Sequence, residues 1–560
     1  MSRTVPAALS IVLTAFSVGL AEETLRPEII SAGPTTRPVQ FADGSLHAYF
    51  SRFGKLFSVS SKNGREWSKP NAEFDLPHKS MGGGLSLVDS QGEVHVILTH
   101  ARGTGRQPAV TRFIDLWHCR TFEGRRRWGK PQRIWEGYCG AVLDFQQLKN
   151  GRLVVPFAAW KKPGETVAAE TGSNYTTVVT SDDSGKTWKL SATKLTSPCR
   201  AGYNGNNYGA IEPTILQLKD GRVWMLMRTQ TGFLYESFSK DGVSWSPARA
   251  SRFHSSTSPA ALVRLPDGRI VIVWNNCEQP PKHDKAGVYG GRDALHAAIS
   301  ADEGKTWRGF REIYRDPHRD ETPPKRGDRG TAYPVAVATR DGKLLVASGQ
   351  GGRRTLIRLD PNWLTQTKQV ESFENDLSRW HVWKPIGPAR GYWRDRTLGP
   401  VLVAHPTQKT AKVLHVRKPD QKAPDCATWN FPAGNNGEIS LRLLANKGSG
   451  GVSLEFNNRF FNPADNRGEQ QSAFVFPIAS AGTPGKAITL PPDRWHTLVV
   501  QWDLEKKHSL AVLNGKVVAR RTIKNVPFGG ISYLRIRSTA TGTDIAGVLI
   551  ESVQADIKHQ

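Results

Sequence analysis

The residues with chemical potential in this chain stand at the ends of short hairpins. The segment from Asn206 to Trp245 gives the pattern most fully. Ile215 to Leu218 and Val223 to Met227 are apolar runs rich in bulky and β-branched residues. Asp220-Gly221, between them, is a dipeptide that supplies the positive φ of a tight turn. Antiparallel strands joined there bring Glu212, just before the first strand, to the same rim as Arg228, just after the second. Reading the other hairpins in this way places Arg37, His78, Tyr138, His254 and Tyr333 before first strands. It places Arg52, His100, Trp160, Asn275 and Gln350 after second strands, and Arg292 ahead of the strand in GGRDALHAAISADEGKTW. Carboxylate, phenol and imidazole are the groups of proton transfer and nucleophilic attack, and guanidinium is the group for anionic oxygen.

The elements that must position these residues repeat. Tryptophans closing turn-like boxes occur at 67, 128, 188, 245 and 307, a spacing of 61, 60, 57 and 62 residues. The boxes Ser181-Asp183-Gly185-Thr187-Trp188 and Ser300-Asp302-Gly304-Thr306-Trp307 share one pattern, S-x-D-x-G-x-T-W. Those ending at Trp67 and Trp245 are one residue shorter, and the one ending at Trp128 is degenerate. Hairpin turns recur at Asp43-Gly44, Gln91-Gly92, Asn150-Gly151, Asp220-Gly221, Asp267-Gly268 and Asp341-Gly342. Six hairpins of this kind predict six blades of a β-propeller, whose short sheets bury their faces against one another in a ring with few free edges. The sixth blade lacks a Trp box, and Arg26 to Gly33 is expected to supply its missing strand and latch the ring.

These boxes and their period resemble the sialidase superfamily, six-bladed propellers with Asp-box repeats, over roughly residues 25 to 365. The resemblance implies a glycosidase that cleaves a terminal acidic sugar, sialic acid or a related uronate, and it assigns roles. Glu212 and Arg228 flank the fourth-blade hairpin as a Glu and an Arg do in that family. Arg292 leads a strand into an Asp box, Tyr333 precedes the last hairpin, and Arg37, in TTRPVQF, is a looser match to the first arginine. Arg37, Arg228 and Arg292 would then grip a carboxylate through planar, bidentate hydrogen bonds. Tyr333 would attack the anomeric carbon, where a neutral phenol avoids the repulsion a second carboxylate would meet, and Glu212 would take its proton. One position departs from the family. The loop that should carry an acid/base Asp, Tyr49 to Leu56, is short and has no Asp or Glu. His78, in PHKSMGGG, and His100, in THARG, are the remaining candidates for that proton. With Tyr333 they keep open a His/Tyr site acting on uronate or sulfated polysaccharide by hydrolysis or β-elimination. A glycan-binding propeller without turnover is the third reading.

After Trp363 the pattern changes. Asp493 to Asp503 alternates as a strand, Leu510 to Lys516 contains an Asn-Gly turn, and Gly547 to Ile557 is a last strand. This predicts an antiparallel β-sandwich that resembles concanavalin-like or laminin-G-like jelly-roll modules. The organisation expected is therefore 1–21 signal peptide, 22–365 propeller and 366–560 sandwich. The first of these rests on Arg3, the apolar core from Val5 to Leu20 and cleavage after Ala21, and implies a secreted or periplasmic protein. No other segment has the roughly 20 apolar residues of a membrane span. The chain has 560 residues and a net charge of +26, which favours anionic partners, here an acidic glycan or polysaccharide. Its one dense basic run, Arg125-Arg126-Arg127, comes without a nucleic-acid-binding motif. Five cysteines lack metal-type spacing, and neither a metal nor a cofactor is expected.

Overall fold

The computed structural model describes residues 25–558, apart from 166, 168–170, 200–206, 279–290, 317–329, 351–353, 383, 390, 396–398, 464 and 481–486. The expected signal peptide, 1–21, lies outside the described residues. The chain is all-β, a six-bladed propeller followed by a sandwich of two larger sheets. The fourth blade shows how a blade is built: Ile211–Gln217, Val223–Arg228, Phe233–Ser239 and Arg249–His254 pair in chain order, each antiparallel to the next. The first, second, third and fifth blades repeat this order, the second with a short extra strand, and the sixth departs from it only at its outer strand.

Ring closure follows the expectation. Glu28–Ile30 pairs antiparallel with Thr355–Leu359, Ile29 opposite Ile357, and so becomes the outer strand of the sixth blade. Each of the six boundaries between neighbouring blades holds its own apolar cluster. The one between the sixth and first blades contains Ile30, Leu46, Val335, Leu345 and Leu356. The box tryptophans are the wedges of this packing: Trp67, Trp128, Trp188, Trp245 and Trp307 fall in five different clusters. The box polar atoms serve the turn itself. Asp183 accepts from the Thr187 amide at 2.9 Å and its hydroxyl at 2.6 Å, and Ser181 Oγ accepts from the Gly185 amide at 2.8 Å.

The hairpin turns differ from the expected form in one respect. Only Gly221 of the Asp220-Gly221 pair has positive φ, +90°. Its amide donates to Leu218 O at 3.1 Å, and Leu218 N to Arg222 O at 2.7 Å, which is a type I turn closed by a left-handed glycine. Asp220 acts through its side chain, accepting from the Arg222 amide at 3.0 Å.

The sandwich stacks one sheet of eight strands on one of six, around a core that includes Trp380, Trp429 and Trp502. It seats on the fifth blade through buried polar groups. Glu312 accepts from the Tyr533 hydroxyl at 2.6 Å and contacts His381 Nε2 at 3.0 Å, while Tyr533 also meets His296 at 2.5 Å. The Asn430 amide bonds Phe310 O at 3.1 Å, and its oxygen takes the Glu312 amide at 2.9 Å. Among the described residues no helix is long and apolar enough to cross a membrane.

Candidate active site

Glu212 and Arg228 meet across the first two strands of the fourth blade. The register shifts between Ile211 and Thr214, a bulge that places Glu212 inside its strand rather than ahead of it. Glu212 is left-handed, with φ +51°. This unfavourable backbone turns the carboxylate to Arg228, the last residue of Val223–Arg228, whose Nη1 donates to Glu212 Oε2 at 2.8 Å. The pair is buried, 6 % exposed at Glu212 and 2 % at Arg228.

The same Nη1 reaches Tyr333 Oη at 3.1 Å. Tyr333 also has positive φ, +60°, and is half-buried just before Val335–Ala338, the first strand of the sixth blade. The carboxylate and the phenol therefore share one guanidinium, and both sit on backbone held in a sparsely populated region. Arg292 completes the group. Its guanidinium carbon lies 5.5 Å from the centre of the Tyr333 ring, against 6.0 Å for Arg228. Nη1 of Arg292 donates to Gln350 Oε1 at 2.8 Å and Nη2 to Thr257 O at 2.6 Å. Thr257 serves both arginines, since its hydroxyl accepts from Arg228 Nε at 3.1 Å.

Glu212, Arg228 and Tyr333 line one end of a cleft of about 590 Å³. Its other wall is aromatic: Tyr138 and Trp160 pack edge-on at 5.8 Å and Trp160 and Tyr208 at 6.5 Å. Among the described residues that line it, Glu212 is the only carboxylate.

Three expected participants lie elsewhere. Arg37 is buried, and its Nη1 donates to Asp144 Oδ1 at 2.7 Å. Its Nη2 donates to Ser86 O at 3.0 Å and Phe145 O at 2.7 Å. Asp144 in turn accepts from the Thr214 hydroxyl at 2.9 Å and the Ile215 amide at 2.8 Å. Arg37 thus ties the first blade to the next three across the ring and shares no bond with Arg228, Arg292 or Tyr333. His78 and His100 stack face to face at 4.1 Å with their edges on Trp117, and neither lines the cleft. Burial and the neighbouring imidazole of His78 push His100 below its ordinary pKa. His254 is likewise packed away, its ring against Phe233, and burial, then the charge of Arg459, lowers it to about 3.

Two supports were not named from the sequence. Thr257, in HSSTSP, carries no motif. Arg354 donates to Tyr333 O at 3.0 Å and also to Thr35 O, Gly349 O and Ala347 O. It braces the strained backbone of Tyr333, and burial lowers its pKa to about 10 against the opposing effect of the Tyr333 phenolate. Its place just after the second strand of the sixth blade, beside Gln350, was the available signal. Among the described residues no cluster of three or more His, Cys, Asp or Glu could hold a metal ion. The cysteines at 119, 139, 199, 277 and 426 form no disulfide.

The BNR repeat-like domain family matches residues 56–346 of the chain. No curated protein matches it. Among solved structures it is similar to a protein of unknown function from Dyadobacter fermentans, at 16% identity over 60% of this chain and 94% of that one, with a TM-score of 0.42. It is similar to Trypanosoma rangeli sialidase at 13% identity over 94% of this chain and 91% of that one, TM-score 0.38. A mutant of NanB sialidase from Streptococcus pneumoniae matches at 13% identity over 59% and 68%, TM-score 0.39.

Proposed function

The chain belongs to the BNR repeat-like domain family, and from that premise we propose that it is an exo-acting glycoside hydrolase that releases a terminal acidic sugar, sialic acid or a related uronate. The observation that carries this reading is the single guanidinium of Arg228 bonded to both Glu212 and Tyr333 at the end of a cleft. Arg228 and Arg292, both within about 6 Å of the Tyr333 ring centre, are the cations for the substrate carboxylate. Arg37, committed to Asp144, is not part of the clamp.

In the proposed reaction Tyr333 Oη bonds to the anomeric carbon as the glycosidic C–O bond breaks. The phenolic proton passes to Glu212, directly or through one water. The departing oxygen is protonated by water, since Glu212 is the only carboxylate lining the cleft among the described residues. Water then attacks the anomeric carbon, giving its proton to the hydroxide left when the departing oxygen was protonated, the bond to Tyr333 breaks, and Glu212 returns the proton to the phenolate. Two displacements retain the anomeric configuration. The aromatic wall of Tyr138, Trp160 and Tyr208 suits the rest of the glycan. The segment 1–21 fits export, which would place the reaction outside the cytoplasm.

The test is release of 4-methylumbelliferone from its N-acetylneuraminic acid and glucuronic acid glycosides by purified protein. Turnover of one of them, reduced by about 10²-fold or more in Tyr333→Phe, is expected. No release from either, or equal rates in Tyr333→Phe, overturns the proposal; acidic-glycan binding without release would leave a binding propeller.

A further inference from the structure

A second cavity, of about 340 Å³, lies where the fifth blade meets the sandwich and shares no lining residue with the cleft. Its volume is within the range of roughly 300–1,000 Å³ usual for small-molecule sites. One wall is the Asp-box turn of the fifth blade, from Lys305 to Arg308. The other is the start of the sandwich strand Asn436–Ala445 together with Glu505 and Lys558.

The walls are fixed by groups already committed. Arg252 donates to Lys305 O at 3.1 Å and Gly304 O at 2.9 Å and lies over the Phe528 ring at 4.5 Å. Asp503 is paired with Lys506 at 3.0 Å. Thr306 donates to Asp302 and Trp307 to Gly304 O, and the other charged and amide side chains are uncommitted. Among the described residues, Lys305, Arg308 and Lys558 enter no ion pair, the amides of Asn435 and Asn436 make no side-chain hydrogen bond, and the Glu505 carboxylate has no cation. Four lining cations, Arg252, Lys305, Arg308 and Lys558, against Asp503 and Glu505 leave a net positive pocket. The amides and the carboxylate add neutral donors and acceptors that a bare anion does not need and a polyhydroxylated ring uses fully.

We propose that this junction pocket binds an acidic sugar unit, carboxylated or sulfated, of a polysaccharide. Lys305, Arg308 and Lys558 neutralise its charge, and Asn435, Asn436 and Glu505 bond its hydroxyls. Occupied, it bridges both halves of the chain. It does not depend on what the cleft catalyses.

The experiment is calorimetric titration of the full chain with a heparin tetrasaccharide, a tetragalacturonate, neutral maltotetraose and a polyglutamate peptide of matched charge, near physiological ionic strength. Using the Tyr333→Phe protein keeps the cleft from consuming ligand. At least one acidic tetrasaccharide is expected to bind about tenfold or more tighter than maltotetraose and polyglutamate. Lys305→Ala/Arg308→Ala/Lys558→Ala should weaken it by about tenfold or more, and Asn435→Ala/Asn436→Ala by about threefold or more. The inference is overturned if neither acidic sugar binds or if the triple variant binds unchanged. It is also overturned if polyglutamate competes equally and the amide variant binds as before, which would make the pocket a simple charge patch. Failure of the glycosidase assay alone would leave it standing.

Discussion

Removing Arg228 and Glu212 together should cost clearly less than the sum of removing each alone. Arg228→Met keeps most of the side-chain volume but deletes the bonds to Glu212 at 2.8 Å, Thr257 at 3.1 Å and Tyr333 at 3.1 Å. Glu212, only 6 % exposed, is left as a buried carboxylate without its cation. Breaking a buried pair from one side costs about 3–5 kcal/mol. Glu212→Gln keeps a neutral acceptor beside a guanidinium that retains its bonds to Thr257 and Tyr333, so about 1–3 kcal/mol is expected. In the double variant neither charge is stranded, and its cost should fall about 2 kcal/mol or more short of the sum of the single costs. The assay is urea unfolding of all four proteins, followed by tryptophan fluorescence through the transition that involves the propeller. Single-variant costs that add to within about 0.5 kcal/mol would refute the reasoning, because the two residues would then be acting independently.

Leu345→Ala, fully buried in the cluster that joins the last blade to the first, should lower stability by about 2–5 kcal/mol in the same assay. Acid should destabilise the fold through two histidines. Burial holds His254 to about 3 and His296 to about 4, below the ordinary 6.5, so the unfolded chain binds more protons between those values. Their contribution is fully present above pH 6.5 and is lost as pH falls toward 4; thermal melts across that window should show it, and His254→Phe should flatten the dependence. With Glu212 the only carboxylate lining the cleft among the described residues, turnover should depend steeply on the leaving group. A series of aryl glycosides with phenols of falling pKa should give rates rising by about 10²-fold or more over a few pKa units, and a flat series would reveal an acid that protonates the leaving oxygen.

Much of this architecture was legible because it is periodic. The tryptophans at 67, 128, 188, 245 and 307 and the recurring hairpin turns count blades without any knowledge of contacts. The lack of a box in the last blade pointed to the N-terminal strand that completes it. Hairpin geometry brought Glu212 and Arg228 to the same rim, while the contact itself comes from the bulge that sets Ile211 opposite Arg228 and from the left-handed backbone of Glu212. Position along a strand does not say which way a side chain turns. Arg37 is at the expected point of the first blade, but its guanidinium crosses the ring to Asp144, a partner 107 residues on. His78 and His100 were expected to enter the cleft and instead stack on Trp117. Thr257 and Arg354 work through backbone carbonyls or a single hydroxyl, interactions that leave no compositional trace.

The most direct test of the account is to trap the sugar on the enzyme. Purified protein should be incubated with a 2,3-difluoro derivative of sialic acid, or the equivalent fluorinated uronyl fluoride, and digested for mass spectrometry. The account predicts one glycosyl adduct, on the peptide containing Tyr333, formed in the wild type and absent in Tyr333→Phe. An adduct on another residue, or turnover of the parent glycoside that survives Tyr333→Phe unchanged, would contradict it.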